Sequence, residues 1–111
     1  MLTNLPLFSL VRTILLHRFT IDIAIDIEID IAIETLEKSG CSDVVLLHCI
    51  LNYPTPFKQA HLRMIKGLIK AYPEHIIGYS DHTLPNDAMT SLISAYLLGA
   101  VVIEKHFTHN K

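Results

Sequence analysis

The chain has 111 residues, 50% of them hydrophobic and 18% charged, with a formal net charge of -2. That balance fits one folded domain and argues against disorder; the absence of a Lys/Arg stripe argues against nucleic acid as a partner. Cys41 and Cys49 lack metal-type spacing and no secretory signal is in view, so reduced thiols in a cytoplasm are expected.

Residues 2–16 are apolar but are interrupted by Asn4, Pro6 and Arg12. No basic residue precedes the apolar part and it is too short to span a bilayer, so burial in the protein is expected rather than membrane contact. Pro6 confines any helix to the part after it, residues 7–17. Isoleucine then occupies every second position from Ile21 to Ile33, with Asp, Ala or Glu between. Period two is a strand signature. Yet the segment runs into Lys38, Ser39 and Gly40, which read as the end of a helix. Ile21–Glu28 recurs almost unchanged as Ile29–Glu34, a tandem repeat that a local duplication explains. A helix is expected over residues 28–39, with residues 1–28 forming an atypical N-terminal segment.

Downstream the pattern is regular. Val44 to Cys49 is a continuous apolar run of the buried parallel type, and Pro54 and Pro56 stiffen the loop after it. Apolar residues at 57, 62, 65, 68, 69 and 72 predict a helix that Pro73 stops. Ile76 to Tyr79 is the next strand. A further helix is expected from Pro85 or Asn86, with Met89, Leu92, Ile93, Tyr96 and Leu97 apolar, capped by Gly99; residues 100–104 form the third strand. Helices alternating with strands on short connections predict a parallel α/β fold with right-handed crossovers. About three βα units amount to part of a (β/α)8 TIM barrel, which takes about 250 residues when complete.

In such folds the reactive groups stand at the C-terminal strand ends. His82 and His106 are 24 residues apart, about one βα unit, so neighbouring strands present them side by side. Imidazoles suit Mn²⁺, Zn²⁺ or Fe²⁺; the alternative is two polar residues in solvated loops, and spacing leaves both open. Alternation directs Glu104 with His106, and Ser80 with His82, toward one side of the sheet and Lys105 toward the other. Asp81 either orients His82 as an acceptor or caps a turn. Tyr53 is either a sugar-stacking aromatic or a packing residue. His48 reads as a core histidine with its hydrogen bond satisfied. His17, His61 and His75 read as surface or helix-end residues.

Leu46-Leu47-His48-Cys49 with Asn52-Tyr53-Pro54-Thr55-Pro56, then Gly78-Tyr79-Ser80-Asp81-His82-Thr83-Leu84, Leu98-Gly99-Ala100 and Val102-Ile103-Glu104-Lys105-His106-Phe107-Thr108 resemble the sialic acid synthase (N-acetylneuraminate synthase) family. The register is unbroken over residues 29–111. The resemblance implies a TIM-barrel enzyme that condenses phosphoenolpyruvate with an N-acetylhexosamine such as N-acetylmannosamine. The product is a nonulosonic acid, and phosphate leaves by C–O cleavage. It implies a divalent ion, Mn²⁺ foremost, on His82 and His106, a phosphoenolpyruvate contact at Ser80, and sugar contacts at Tyr53 and Glu104, with Glu104 in the catalytic role. It also implies a cytoplasmic protein that forms a homodimer at full length, with no nucleic acid or membrane partner. Pseudaminic, legionaminic and coat-polysaccharide synthases are alternatives within the class.

The sequence departs from the family at Leu51, where a small polar residue of the phosphoenolpyruvate site is usual, and at Ile50, where threonine is common. Five upstream strands and a C-terminal antifreeze-like domain have no counterpart. The expectation is therefore a piece of a synthase, inactive alone. The competing expectation is a non-catalytic truncated product or assembly segment, whose unclosed sheet has edges that invite pairing.

Overall fold

A computed structural model describes residues 12–17 and 23–106 of the chain, with side chains described from residue 27 on. Four strands, β1 (Arg12–His17), β2 (Val44–Cys49), β3 (Ile76–Asp81) and β4 (Val102–Lys105), form one sheet in sequence order. Every pairing is parallel. The connections carry α1 (Ile23–Lys38), then a short 3-10 turn (Phe57–Gln59) with α2 (Met64–Ala71), then α3 (Thr90–Leu97). This is a partial (β/α)8 barrel, with one strand more than the three that the apolar runs predict.

The extra strand corrects the expected helix at residues 7–17, of which residues 7–11 lie outside the described residues. Arg12 to His17 includes the β-branched Thr13 and Ile14, and pairs rung for rung with Val44 to Cys49. A neighbouring edge that satisfies backbone groups outweighs a weak local helix preference.

The alternating isoleucines resolve the other way, and the helix starts ahead of the expected residue 28. Within a helix, an every-second-residue pattern still contains i, i+4 pairs on one face, here Ile29 and Ile33, and Leu36 adds the i+7 position. Ile29 and Ile33 are buried on the sheet and Leu36 packs beside them, whereas Ile27 and Ile31 are exposed. Full burial of an Ile is worth about 1.5–3 kcal/mol, so two buried isoleucines and a crossover that needs a helix prevail over strand periodicity. The helix closes in a Schellman motif: Gly40, at φ 87°, donates to the Glu37 carbonyl and Cys41 to that of Leu36.

The second predicted helix is split. His61 adopts φ 46°, so the 3-10 turn does not run into α2. Ile65 and Leu68 are the buried residues of α2, and Phe57 is exposed. Helix α3 begins at Thr90 rather than at Pro85 or Asn86, because the Asn86 side chain forms a turn of its own: Oδ1 accepts the Thr90 N–H and Nδ2 donates to the Thr90 hydroxyl, both at 3.0 Å. Its buried face is Ser91 and Ala95, with Leu92 packed alongside, while Met89, Ile93, Tyr96 and Leu97 are exposed.

One core cluster lies between sheet and helices: Ile29, Ile33, Val44, Leu46, Ile65, Leu68, Ile77, Tyr79, Ala95 and Ala100. The opposite sheet face, with Val45, Leu47, Cys49 and Ser80, is also buried. Burial on both faces explains why β2 is an unbroken apolar run. Among the described residues no helix is long and apolar enough to cross a membrane.

Candidate active site

The polar residues gather at the C-terminal ends of β2, β3 and β4. Ser80 pairs with Glu104 across the ladder, and the next rung is Asp81 with Lys105. Side chains alternate faces along a strand, so one rung points away from the helices and the next toward them. On the face away from the helices the Ser80 hydroxyl donates to Glu104 Oε1 at 2.8 Å. His82 and His106 follow, with ring centroids 5.3 Å apart. Tyr53, from the loop after β2, meets both rings edge-on at 5.4 and 5.1 Å.

All five residues singled out from the sequence, Tyr53, Ser80, His82, Glu104 and His106, thus come together. The loop carrying Tyr53 is tied to the loop after β3 by the Thr55 N–H, which donates to the His82 carbonyl at 2.8 Å. His82 Nδ1 lies 2.7 Å from the Ile50 carbonyl, which can only accept, so Nδ1 is the donor, and in the neutral imidazole this leaves Nε2 as the lone-pair nitrogen. That tautomer is the one a metal ligand needs. The donor set also suits a divalent ion of the Mn²⁺ or Zn²⁺ kind, as two neighbouring imidazoles that leave other positions open. Among the described residues no group of three His, Cys, Asp or Glu side chains could by itself hold a metal ion.

Asp81 does not orient His82. Its carboxylate is buried on the helix side, where it accepts from Tyr79 Oη at 2.9 Å, the Thr83 N–H at 2.8 Å, Ser91 Oγ at 2.7 Å and Lys105 Nζ at 2.7 Å. Burial pushes its pKa up, but the bonds from Lys105, Ser91 and Thr83 outweigh burial and hold the group below its ordinary value. Burial, reinforced by Asp81, drives the Tyr79 phenol far up. The acceptor that orients His82 is instead a backbone carbonyl, which no side-chain motif announces. The Asp81–Lys105 pair was legible in principle, since residues facing each other on one rung share a face.

His48 is the satisfied core histidine expected of it. It is buried, bonded through Nε2 to the Ala60 carbonyl at 2.7 Å and stacked on Tyr79. Burial lowers its pKa. Cys49, beneath the site, is a free buried thiol 3.8 Å from both ring nitrogens of His82, and burial raises its pKa. Of the remaining histidines, His61 is exposed and His75 half-buried, and the side chains of His17 and His109 lie outside the described residues. Leu51 is 65% exposed, whereas Ile50 is buried.

Polar side chains gathered at the C-terminal strand ends of a partial TIM barrel mark the class as an α/β-barrel protein. The NeuB family model matches residues 21–111. The chain is 41% identical over 86 residues to the N,N'-diacetyllegionaminic acid synthase of Campylobacter jejuni, covering 76% of this chain and 25% of that protein. It is 39% identical over 79 residues to the N-acetylneuraminate-9-phosphate synthase of Drosophila melanogaster, covering 71% and 20%. The crystal structure of N-acetylneuraminic acid (sialic acid) synthetase from Leptospira borgpetersenii, in complex with citrate, superposes with a TM-score of 0.69 at 34% identity, covering 92% of this chain and 32% of that one. The chain belongs to the NeuB family, a family of nonulosonic acid synthases. It spans about a quarter or less of the curated relatives it matches.

Proposed function

We propose that this chain supplies part of the active site of a synthase that condenses phosphoenolpyruvate with an N-acetylhexosamine of the N-acetylmannosamine type. The observation that carries this reading is the side-by-side placement of His82 and His106 above the Ser80–Glu104 pair. The two imidazoles would hold a divalent cation, Mn²⁺ by preference, which supplies Lewis-acid polarisation of the open-chain sugar aldehyde. His82, its Nδ1 proton given to Ile50, offers Nε2 to that ion.

Glu104 is the catalytic carboxylate of the set. Its Oε1 is engaged by Ser80, and a carboxylate has acceptor capacity left for sugar hydroxyls. Ser80 can turn its hydroxyl from Glu104 to the carboxylate or phosphate of phosphoenolpyruvate, which orients the enol carbon toward the aldehyde. Tyr53, 62% exposed, offers a ring face or its phenol to the sugar. Leu51 cannot donate to a phosphate, so the phosphoenolpyruvate site lacks one contact usual in the family.

Within the class, legionaminic and pseudaminic acid precursors are the alternative sugars, since relatives bearing both names match the chain. The test is a Mn²⁺ titration followed by electron paramagnetic resonance. The wild-type chain is expected to bind the ion weakly and His82→Ala/His106→Ala not at all. Equal binding by the two proteins would overturn the metal assignment.

A further inference from the structure

We propose that Asp81 and Lys105 are positioning residues for the two histidines: their ion pair, on the helix-covered face of the sheet, sets the spacing and orientation of His82 and His106 on the other. The idea rests on the reading of those histidines as metal ligands only for its functional consequence; the geometry is independent of it.

Asp81 and Lys105 form the last rung between β3 and β4, and the histidines begin where the strands end. Strand ends open at little cost in free energy, and β4 has β3 as its only neighbour among the described strands. Backbone pairing alone would therefore leave the two imidazoles loosely placed.

The ion pair closes that gap. Asp81 is 1% exposed and takes four hydrogen bonds, and Lys105 Nζ reaches both Asp81 Oδ2 at 2.7 Å and the Thr83 carbonyl at 2.8 Å. Thr83 is held a second time, by its N–H to Asp81 Oδ1 and its hydroxyl against Ser91 at 3.0 Å. His82 thus lies between two residues anchored to one ammonium group, and that ammonium belongs to the residue before His106. Moving Lys105 displaces both histidines. Charge-assisted bonds of this kind are shorter and about twice as strong as neutral ones. An apolar pair could not replace them, because the buried Thr83 carbonyl would lose its donor.

The experiment uses the 111-residue chain, metal-free, with nuclear Overhauser contacts among the rings of Tyr53, His82 and His106 as readout. Asp81→Asn and Lys105→Met are expected to lose or broaden these contacts while the Val45–Ile76 and Gly78–Val102 sheet contacts persist. Lys105→Arg, which keeps the charge and the donors, is expected to retain them. Mn²⁺ affinity should fall about tenfold or more in the first two variants, as for other groups that orient metal ligands.

Unchanged ring contacts in folded Asp81→Asn and Lys105→Met would overturn the proposal. Should Asp81→Asn fail to fold, Lys105→Met carries the same test at a side chain that is 20% exposed. If His82→Ala/His106→Ala binds Mn²⁺ as tightly as wild type, the metal reading fails, and the metal-free ring contacts still decide the positioning claim.

Discussion

Gly78 is the position where one added carbon should do most harm. It pairs with Val102 on the β3–β4 ladder, and a Cβ built there would lie 2.5 Å from the Val102 carbonyl oxygen and 2.9 Å from the Val102 Cβ, and would collide with Leu47 Cδ2. Leu47 could swing away only into space it does not have, being 1% exposed. The Val102 oxygen is main chain and cannot move without moving β4. Overpacking of this sort costs about 1–3 kcal/mol, against about 0.4–1 kcal/mol recovered by Gly→Ala from reduced unfolded-state freedom. With backbone as the obstacle, the upper end applies, and a net loss of about 2 kcal/mol would lower Tm by about 8–16 °C for a domain near this size.

The damage should also reach the site. The Ser80–Glu104 rung stands two residues further along the same pair of strands, so a displaced β4 carries Glu104 and His106 out of place. Circular dichroism melts of wild type and Gly78→Ala, paired with Mn²⁺ titrations, measure both effects. A Tm within about 2 °C of wild type, well inside the shift expected for even 1 kcal/mol, would refute the close-approach reasoning.

Two further outcomes are expected. Incubated with phosphoenolpyruvate, N-acetylmannosamine and Mn²⁺, the 111-residue chain should release no more phosphate than His82→Ala/His106→Ala, because Leu51 makes no phosphate contact and small misplacements cost orders of magnitude in rate; turnover above that background would contradict this. His48, with its pKa lowered by burial, stabilises the fold fully above its ordinary value of 6.5 and loses that contribution as pH falls below it, since the unfolded chain takes up the proton first. Urea midpoints between pH 7.5 and 5 should therefore fall more steeply for wild type than for His48→Gln, and parallel profiles would show that His48 is not the titrating group.

How much of this was legible depended on the kind of signal. Val44 to Cys49 and Ile76 to Tyr79 were readable as strands because a sheet buried on both faces demands continuous apolar runs. Gly40 and Gly99 marked helix ends because a left-handed backbone, φ 87° and 108°, favours glycine in any context. Alternation and one βα spacing bring Ser80, His82, Glu104 and His106 to one face, whereas the roles of Ser80, Glu104 and the loop residue Tyr53 were legible only through the resemblance to the synthase family.

Other features lay beyond local pattern. Arg12 to His17 became a strand through the edge of β2, a partner about thirty residues away. The alternating isoleucines became a helix because Ile29 and Ile33 found the sheet, at the expense of leaving Ile27 and Ile31 in solvent. Of the two readings of Asp81, companion of His82 or cap of a turn, the first fails because neighbours on a strand face opposite ways, and the second holds in the bond from the Thr83 N–H. The distant partners of Asp81 are Lys105, 24 positions on, and Ser91, on a helix. Sequence determines which side chains can share a face, because the backbone period is local. Which group meets which across that face is decided by the register between strands and the docking of helices, and these are settled only when the whole sheet is packed.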